Sequence, residues 1–308
     1  SSRQPPMLRR TFVMSGVSCR GELRAAMNNT SENAMPAPAR GAASRNDDEQ
    51  RLHARLARIQ RKILVLSGKG GVGKSTVAVH LATALLHAGK RVGLLDVDIH
   101  GPSIPTMLGV RDAAVTAGPD GWQPIDVHGL QVMSLAFLLQ DRDAAVIWRG
   151  PLKMNIIRRF LSDVAWNALD YLVVDTPPGT GDEPLSVCQL MGNPDGAVIV
   201  TTPQLVALVD VRKTISFCRR LQLPILGIVE NMCAFVCPHC HKQTPLFGSG
   251  GGERLAAETA LPFLGSIPFD PTLAAACDDA AILAAGRDDA PVMRIMRAII
   301  HQLAPPDA

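Results

Sequence analysis

The chain has 308 residues, 47% of them hydrophobic and 19% charged, which is enough apolar material for a large core and too little charge for a disordered chain. No stretch approaches the roughly 18 consecutive apolar residues of a membrane-spanning helix, so no integral membrane segment is predicted. The net charge of +3 is uneven, since residues 1–61 carry 11 arginines against five acids and the remainder carries 20 basic against 23 acidic residues. This balance excludes nucleic-acid binding by electrostatics for the body of the chain.

The first predicted segment, residues 1–46, is a tail without a sustained hydrophobic period. It holds seven arginines and two acids and is rich in Ala, Ser, Asn and Pro. The run Met7–Met14, with arginines between apolar residues, is typical of a mitochondrial presequence. A disordered bacterial extension has the same composition, and both interpretations stay open. The first predicts the mitochondrial matrix as the location, and the second predicts the cytoplasm.

Residues 47–61 are predicted as an amphipathic lead-in helix, because Leu52, Leu56 and Ile59 recur at helical spacing. Residues 62–308 then alternate apolar, β-rich runs with helical patterns. This alternation predicts one α/β domain with a doubly wound, mainly parallel sheet and helices on both faces. The predicted strands are Ile63–Ser67, Val92–Asp96, Leu130–Leu135, Tyr171–Asp175, Ala197–Thr201, Ile225–Glu230 and Phe263–Ile267. The predicted helices are Ser75–Ala88, Leu152–Val164, Pro184–Leu190, Val206–Leu221, Gly252–Ala260 and Val292–Leu303.

The first strand of this domain runs into a glycine-rich loop of the form G-x-x-x-x-G-K-S. A phosphate-binding loop needs glycines because its backbone must curl until successive N–H groups point at phosphate oxygens. Lys74 would neutralise the β and γ phosphates of ATP, and the Ser75 hydroxyl would bind Mg²⁺. The predicted nucleotide-binding set in this loop is Gly68, Gly70, Gly71, Val72, Gly73, Lys74, Ser75 and Thr76.

Polar side chains follow the ends of three predicted strands, at the edge of the sheet where ligands of open α/β folds bind. Asp175 follows four apolar strand residues and suits Mg²⁺ binding through its water shell. Asp98 would orient the attacking water with the support of Asp96, because phosphoryl transfer depends on positioning and charge neutralisation. Asn231 is predicted to contact the nucleobase, since an amide can pair with the adenine edge.

Three cysteines, Cys233, Cys237 and Cys240, lie within eight residues, in a spacing typical of a metal site. Four interpretations of this cluster are open from the residues alone. They are a single-chain zinc site that includes His241, a redox-active Cys237-Pro-His-Cys240 disulfide, a radical-SAM cluster motif, and an iron–sulfur cluster to which each of two subunits gives two cysteines.

The string Lys69–Thr76 resembles the deviant Walker A motif of the MinD/ParA, nitrogenase iron protein and ArsA group. In that group the first lysine reaches across a dimer interface to the partner's nucleotide. The resemblance therefore implies that Lys69 acts in catalysis together with Lys74, and that the chain dimerises when nucleotide is bound.

Besides the Walker A string, six further segments match one narrower family. They are Leu95–Ser103, Val146–Pro151, Asp170–Asp182, Thr202–Gln204, Asn231–Met232 and Cys237–Cys240. On these segments, from about residue 61 onward, the chain resembles the Mrp/ApbC/NUBPL family of P-loop iron–sulfur cluster carriers. The resemblance implies that a labile 4Fe-4S cluster is held by Cys237 and Cys240 of two subunits and handed to apo iron–sulfur proteins, with respiratory complex I as the client of the mitochondrial branch. The sequence departs from the family at His100, Leu205 and Cys233.

These observations predict a slowly hydrolysing ATPase that uses Mg²⁺, forms a homodimer and carries a 4Fe-4S cluster. Two alternatives belong to other classes. One is a MinD/ParA-like ATPase that binds a surface or a partner without a cluster, and the other is an ATP-gated zinc-binding adaptor. The cysteine pair distinguishes the first alternative, since positioning ATPases lack it, and Cys233 keeps the second one open.

Overall fold

The structure of the chain, a computed structural model, describes residues 45–98, 101–138, 150–237, 239, 240, 242–271, 275 and 291–303. The predicted tail therefore lies outside the described residues up to residue 44, as do His100 and His241. Within the described residues, no helix is long and apolar enough to cross a membrane.

A nine-stranded sheet forms the centre of the domain, with the order β10-β9-β8-β1-β7-β2-β6-β5 and with β11 paired to β9. Its pairings are parallel except that β5 and β10 run antiparallel to their neighbours. A separate two-stranded sheet pairs β3 with β4. The strands are β1 Ile59–Ser67, β2 Val92–Asp96, β3 Ala117–Gly118, β4 Gly121–Trp122, β5 Ile125–Val127, β6 Leu130–Ser134, β7 Leu169–Asp175, β8 Gly196–Thr201, β9 Ile225–Val236, β10 Gln243–Thr244 and β11 Phe263–Phe269.

Helices connect the parallel strands and cover the sheet. The central strands β2, β7 and β8 are almost wholly buried, and so is β1 from Ile63 to Ser67, as the near-continuous apolar runs of a sheet covered on both faces require. The predicted α/β fold is therefore confirmed. The helices are α1 Arg45–Leu56, α2 Lys74–His87, α3 Ile104–Met107, α4 Gly150–Asp163, α5 Asp182–Leu190, α6 Leu205–Arg220, α7 Gly251–Thr259 and α8 Pro291–Leu303.

The lead-in helix is shorter than the predicted range 47–61. Leu52 and Leu56 are buried on α1 as the helical spacing predicts, but α1 ends at Leu56. Ile59 instead begins β1, where it pairs with Leu169 of β7 and is buried. The prediction was wrong there because one apolar residue at helical spacing fits a buried strand end equally well.

The strand before the cysteines is longer than predicted, because β9 continues past Glu230 to Val236. The last residues of β9 pair with the short strand β10 and with the end of β11. Polar and apolar residues are mixed in this part of the sequence, so no strand pattern predicted these pairings. Cys233 therefore lies within a strand, whereas Cys237 follows the strand end. The short strands β3, β4 and β5 were also absent from the prediction.

One buried histidine, His80, is expected to make the stability of this domain depend on pH. His80 on α2 is 2% exposed, and its Nδ1 donates to the Thr76 carbonyl oxygen at 2.7 Å. Its Nε2 has no hydrogen-bond partner among the described residues. Burial lowers the pKa of His80 below its ordinary value of 6.5, since the charged ring would be desolvated.

We expect the stabilising effect of His80 to be complete above about pH 6.5 and to be lost as the pH falls below it, where the unfolded chain takes up the proton first. The free energy of unfolding of the parent minus that of His80→Asn should fall by up to about 1.4 kcal/mol per pH unit in that range. Urea unfolding of both proteins between about pH 7.5 and about pH 5.5 measures this difference. A difference that does not change with pH would contradict it.

Candidate functional site

The glycine-rich loop joins the buried strand β1 to the helix α2, at the carboxyl edge of the sheet. Gly71 and Gly73 have φ of 78°, in the left-handed region that favours glycine, and Gly73 is the N-cap residue directly before α2. The first turn of α2 therefore presents its N–H groups toward the loop, as an anion site requires.

Two other elements approach the loop too closely for a side chain on two of its glycines, Gly68 and Gly73. A Cβ at Gly68 would lie 2.5 Å from the carbonyl carbon of Asp210 on α6, and a Cβ at Gly73 would lie 2.2 Å from Nδ2 of Asn231 on β9. The Asn231 Nδ2 also donates to the Val72 carbonyl oxygen at 2.9 Å. The loop is thus held in place by α6 on one side and by β9 on the other.

A buried ion pair lies directly beneath the loop. Lys74 is 6% exposed and its Nζ donates to Oδ1 of Asp175, which is fully buried at the end of β7. The second carboxylate oxygen, Oδ2, has no hydrogen-bond partner among the described residues. A buried acceptor without a partner fits a cation or its bound water, which is the role predicted for Asp175.

Burial dominates the electrostatics of the two carboxylates at this edge. Desolvation raises the pKa of Asp175, although Lys74 and a hydrogen bond with Ser75 act in the opposite direction. Desolvation and the nearby charge of Asp175 raise the pKa of Asp96 to about 8. One additional positive charge close to this pair would favour the ionised form of both groups.

Asp96 holds the backbone of Asp98, the next carboxylate along the chain, in position. It is fully buried, and its Oδ1 accepts from the backbone N–H of Asp98 at 3.1 Å. Its Oδ2 accepts from Ser134 Oγ, also at 3.1 Å. Sequence reasoning missed Ser134, although a serine at the end of the neighbouring strand β6 is the signal that could have found it.

Most of the predicted loop residues line one cavity of about 250 Å³. Its lining combines glycine backbone, two lysines and one carboxylate, which suits a polyphosphate. The other predicted residues, Gly68, Val72, Asp96, Asp175 and Asn231, are not part of its lining. The predicted residues in its lining are Lys69, Gly70, Gly71, Gly73, Lys74, Ser75, Thr76 and Asp98, and the additional ones are Ser67, Gly101, Ser103, Met107 and Pro178.

The cysteine pair lies in the segment between β9 and β10. Cys237 is half-buried and Cys240 is exposed. Backbone N–H groups of Cys240 and His239, with a further hydrogen bond from the Cys240 side chain, lower the pKa of the Cys237 thiol. Cys233 differs, because burial and the charge of Glu230 raise its pKa. Cys237 is thus the thiol best prepared to act as a thiolate ligand.

Glu230 connects the cysteine segment to the domain, and sequence reasoning missed it. This buried carboxylate accepts from the backbone N–H groups of Gly250 at 3.2 Å and Gly252 at 2.6 Å, at the start of α7. It therefore caps the positive end of α7. The hydrogen bonds of Glu230 therefore join β9 to the start of α7, the two elements between which the cysteine segment lies.

Comparison with known families and proteins agrees with this geometry. The family described as "ParA: NUBPL iron-transfer P-loop NTPase" matches residues 58–304. A relative from Monosiga brevicollis named as a homolog of the cytosolic Fe-S cluster assembly factor NUBP2 is 52% identical over 265 residues, which cover 85% of this chain and 93% of the relative. An iron-sulfur cluster carrier protein from Methanocaldococcus jannaschii is 53% identical over 223 residues, or 72% of this chain and 77% of that protein.

Solved structures show the same fold. A nucleotide-binding protein from Archaeoglobus fulgidus in complex with ADP is 42% identical with a TM-score of 0.68, over 76% of this chain and 92% of that one. The cell division ATPase MinD from Pyrococcus furiosus has a TM-score of 0.56 over 79% of this chain and 98% of that one, and at 23% identity it supports the fold alone.

Proposed function

Because the chain belongs to the family of NUBPL iron-transfer P-loop NTPases, we propose that it is a slow ATPase whose homodimer carries a bridging 4Fe-4S cluster to apo iron–sulfur proteins. The observation that carries this proposal is that one domain combines a phosphate loop held between α6 and β9 with the Cys237–Cys240 thiol pair. The cluster is the cargo of the reaction, and ATP with Mg²⁺ is the regulating ligand.

The loop geometry supports the nucleotide half of the proposal. When ATP binds, Lys74 would exchange its contact with Asp175 for the phosphates, and Asp175 would be released toward the Mg²⁺ that ATP brings. The buried, unpartnered Asp175 Oδ2 fits that ion, and Ser75 would be a second ligand. Bound Mg²⁺ neutralises phosphate charge. Asp98, held by Asp96, would orient the attacking water, and Asn231 would use its carbonyl oxygen toward the base while donating to Val72.

The cysteine geometry supports the cluster half. A 4Fe-4S cluster takes four thiolates, and one chain offers two adjacent thiols, Cys237 and Cys240. Two copies of the chain would complete the ligand set. The same association would bring Lys69, which lines the cavity in the loop, to the nucleotide of the partner subunit.

The relatives support delivery and location. One relative is named as an iron-sulfur cluster carrier and others as cytosolic Fe-S cluster assembly factors, so we propose apo iron–sulfur proteins as recipients and the cytosol as the compartment. The comparisons do not support the mitochondrial alternative that the tail raised. They give no support to respiratory complex I as the recipient either.

Anaerobic reconstitution with ferrous iron and sulfide tests this proposal. We expect about two irons per chain, about four per dimer, with the absorption and Mössbauer spectra of a 4Fe-4S cluster. Gel filtration should show that the loaded form is a dimer. A zinc-bound monomer that requires Cys233 would overturn the assignment in favour of a zinc-binding adaptor. ATP binding without any uptake of iron would favour a positioning ATPase.

A further inference from the structure

The strand β9 contains a backbone conformation that strands rarely hold. Met232 lies inside this strand with a φ of 56°, in the left-handed region, although it carries a side chain. A left-handed backbone costs free energy in a residue with a Cβ, so it persists only where the surrounding structure holds it, and such residues cluster at switch regions and ligand clamps. The other described non-glycine residues in this region all lie in turns. They are His128, Gln222 and Ala260.

The pairing between β9 and β11 is interrupted at the same place. After Asn231, which pairs with Ile267, the next residue of β9 that pairs with β11 is Phe235, although only one residue of β11 has been passed. Three residues of β9 therefore lie opposite that single residue, Pro268, which has no N–H group to donate to the ladder. Met232 is the first residue of this bulge, and a bulge bends the strand that carries it.

The two residues before the bulge are fixed to different parts of the domain. The Asn231 side chain donates to the Val72 carbonyl oxygen of the phosphate loop at 2.9 Å. The Glu230 carboxylate accepts from two backbone N–H groups at the start of α7. The side chain of Met232 also reaches the loop, because its terminal methyl lies 3.5 Å from the position that a Cβ on Gly73 would take. The bulge thus begins beside the N-cap residue of α2.

The chain after the bulge carries the thiol pair. The last residues of β9 pair with β10, and the backbone N–H of Cys237 donates to the Lys242 carbonyl oxygen at 3.1 Å. Cys237 is therefore attached to a hairpin formed by the end of β9 and by β10, and Cys240 belongs to the connection between the two strands. A change of direction at Met232 would turn this hairpin while the anchored residues before the bulge stay in place.

We propose that Met232 is a positioning residue through which the occupancy of the phosphate loop sets the direction of the cysteine hairpin. The inference rests on the proposed function, because it assigns the connection between nucleotide and cluster. Phosphates in the loop fix the backbone around Gly73, and the Met232 methyl beside it then favours one direction of the hairpin. Left-handed and extended backbones are separate allowed regions, so the bulge has discrete directions and not a continuous range.

The size of the movement decides whether a cluster can be held. Cys237 follows Met232 by five residues, and at about 3.3 Å per residue a rotation of about 10° at Met232 moves Cys237 by about 3 Å. Metal–ligand distances vary by only about 0.2 Å, so such a movement separates a complete set of thiolates from an incomplete one. The coupling is reciprocal, and a hairpin held by a cluster changes the affinity of the loop for ATP by the same factor.

Alkylation of Cys240 in the metal-free, reduced full chain tests the proposal without a cluster. This thiol is exposed, so its rate of reaction with iodoacetamide, located by tandem mass spectrometry, reports on the hairpin. We expect ATP with Mg²⁺ to change the rate at least about fivefold in the parent. Met232→Gly frees the backbone and removes the thioether, so it should reduce this change to less than about twofold while ATP affinity stays within about threefold.

Two variants and one measurement separate this role from other causes. Gln222→Gly is the matched control, because Gln222 has a φ of 55° in the turn before β9 begins, and it should respond to ATP as the parent does. Met232→Leu keeps an apolar side chain and should keep most of the response. Gel filtration with ATP compares self-association of the variants and the parent. Shielding of Cys240 by association alone would persist in Met232→Gly.

Three results would overturn the role of Met232. They are an alkylation rate in the parent that does not depend on ATP, an equal response in the parent and Met232→Gly, and an equal loss of response in Gln222→Gly. Iron uptake is measured alongside and tests the proposed function separately. Iron uptake without ATP-dependent alkylation would remove the role of Met232 and leave the proposed function intact. ATP-dependent alkylation that requires Met232, in a chain that takes up no iron, would do the reverse.

Discussion

Alanine at Cys237 or at Cys240 is expected to abolish loading of the 4Fe-4S cluster. If each subunit of the dimer gives two thiolates, either change removes two of the four ligands at once, since both copies carry it. A cluster with half of its ligands missing should not survive gel filtration. Iron and sulfide per chain, with the absorption of the reconstituted protein, measure the effect.

Cys233→Ala is the matched control, because it removes a thiol from the same stretch of chain. Cys233 lies within β9, and burial with the charge of Glu230 raises the pKa of its thiol, so it is poorly prepared to act as a thiolate. We expect the variant to load nearly as much iron as the parent. Loading that depends on Cys233 as strongly as on Cys237 would show that a single chain supplies three ligands.

The sequence predicted well the features that depend on local pattern. The strand, loop and helix around Lys74 follow from an apolar run, four glycines and the start of a helical pattern, and the structure places them within a few residues of the prediction. The carboxyl ends of β2 and β7 are neighbours, with Asp96 in register with Asp175. Parallel pairing made that juxtaposition predictable from strand order alone.

Features that depend on distant contacts were not predictable in the same way. Nothing near Glu230 in the sequence indicates that its carboxylate caps a helix about 20 residues later, because the contact exists only once β9 and α7 have packed. The approach of Asp210 to Gly68 likewise depends on how α6 lies on the sheet.

Lys74→Ala is expected to lower ATP affinity by about 10-fold to about 150-fold, with hydrolysis lost. The ammonium group is the charge predicted to meet the β and γ phosphates, and a hydrogen bond to a charged group contributes about 1.5–3 kcal/mol. The change also leaves Asp175 buried without its cation, which can destabilise the fold by about 3–5 kcal/mol. Loss of ATP binding alone would therefore not separate a binding role from a folding role.

The variant Asp175→Asn, made alone and in combination with Lys74→Ala, separates the binding role of Lys74 from its folding role. The asparagine removes the unpaired charge, so the double variant should regain the unfolding midpoint that Lys74→Ala loses. It should still bind ATP far more weakly than Asp175→Asn alone, because only Lys74 differs between them. Lys69→Ala, the matched lysine of the same loop, should keep ATP affinity and weaken nucleotide-dependent association. Equal ATP affinity of the double variant and Asp175→Asn, by titration calorimetry, would remove Lys74 from the phosphate site.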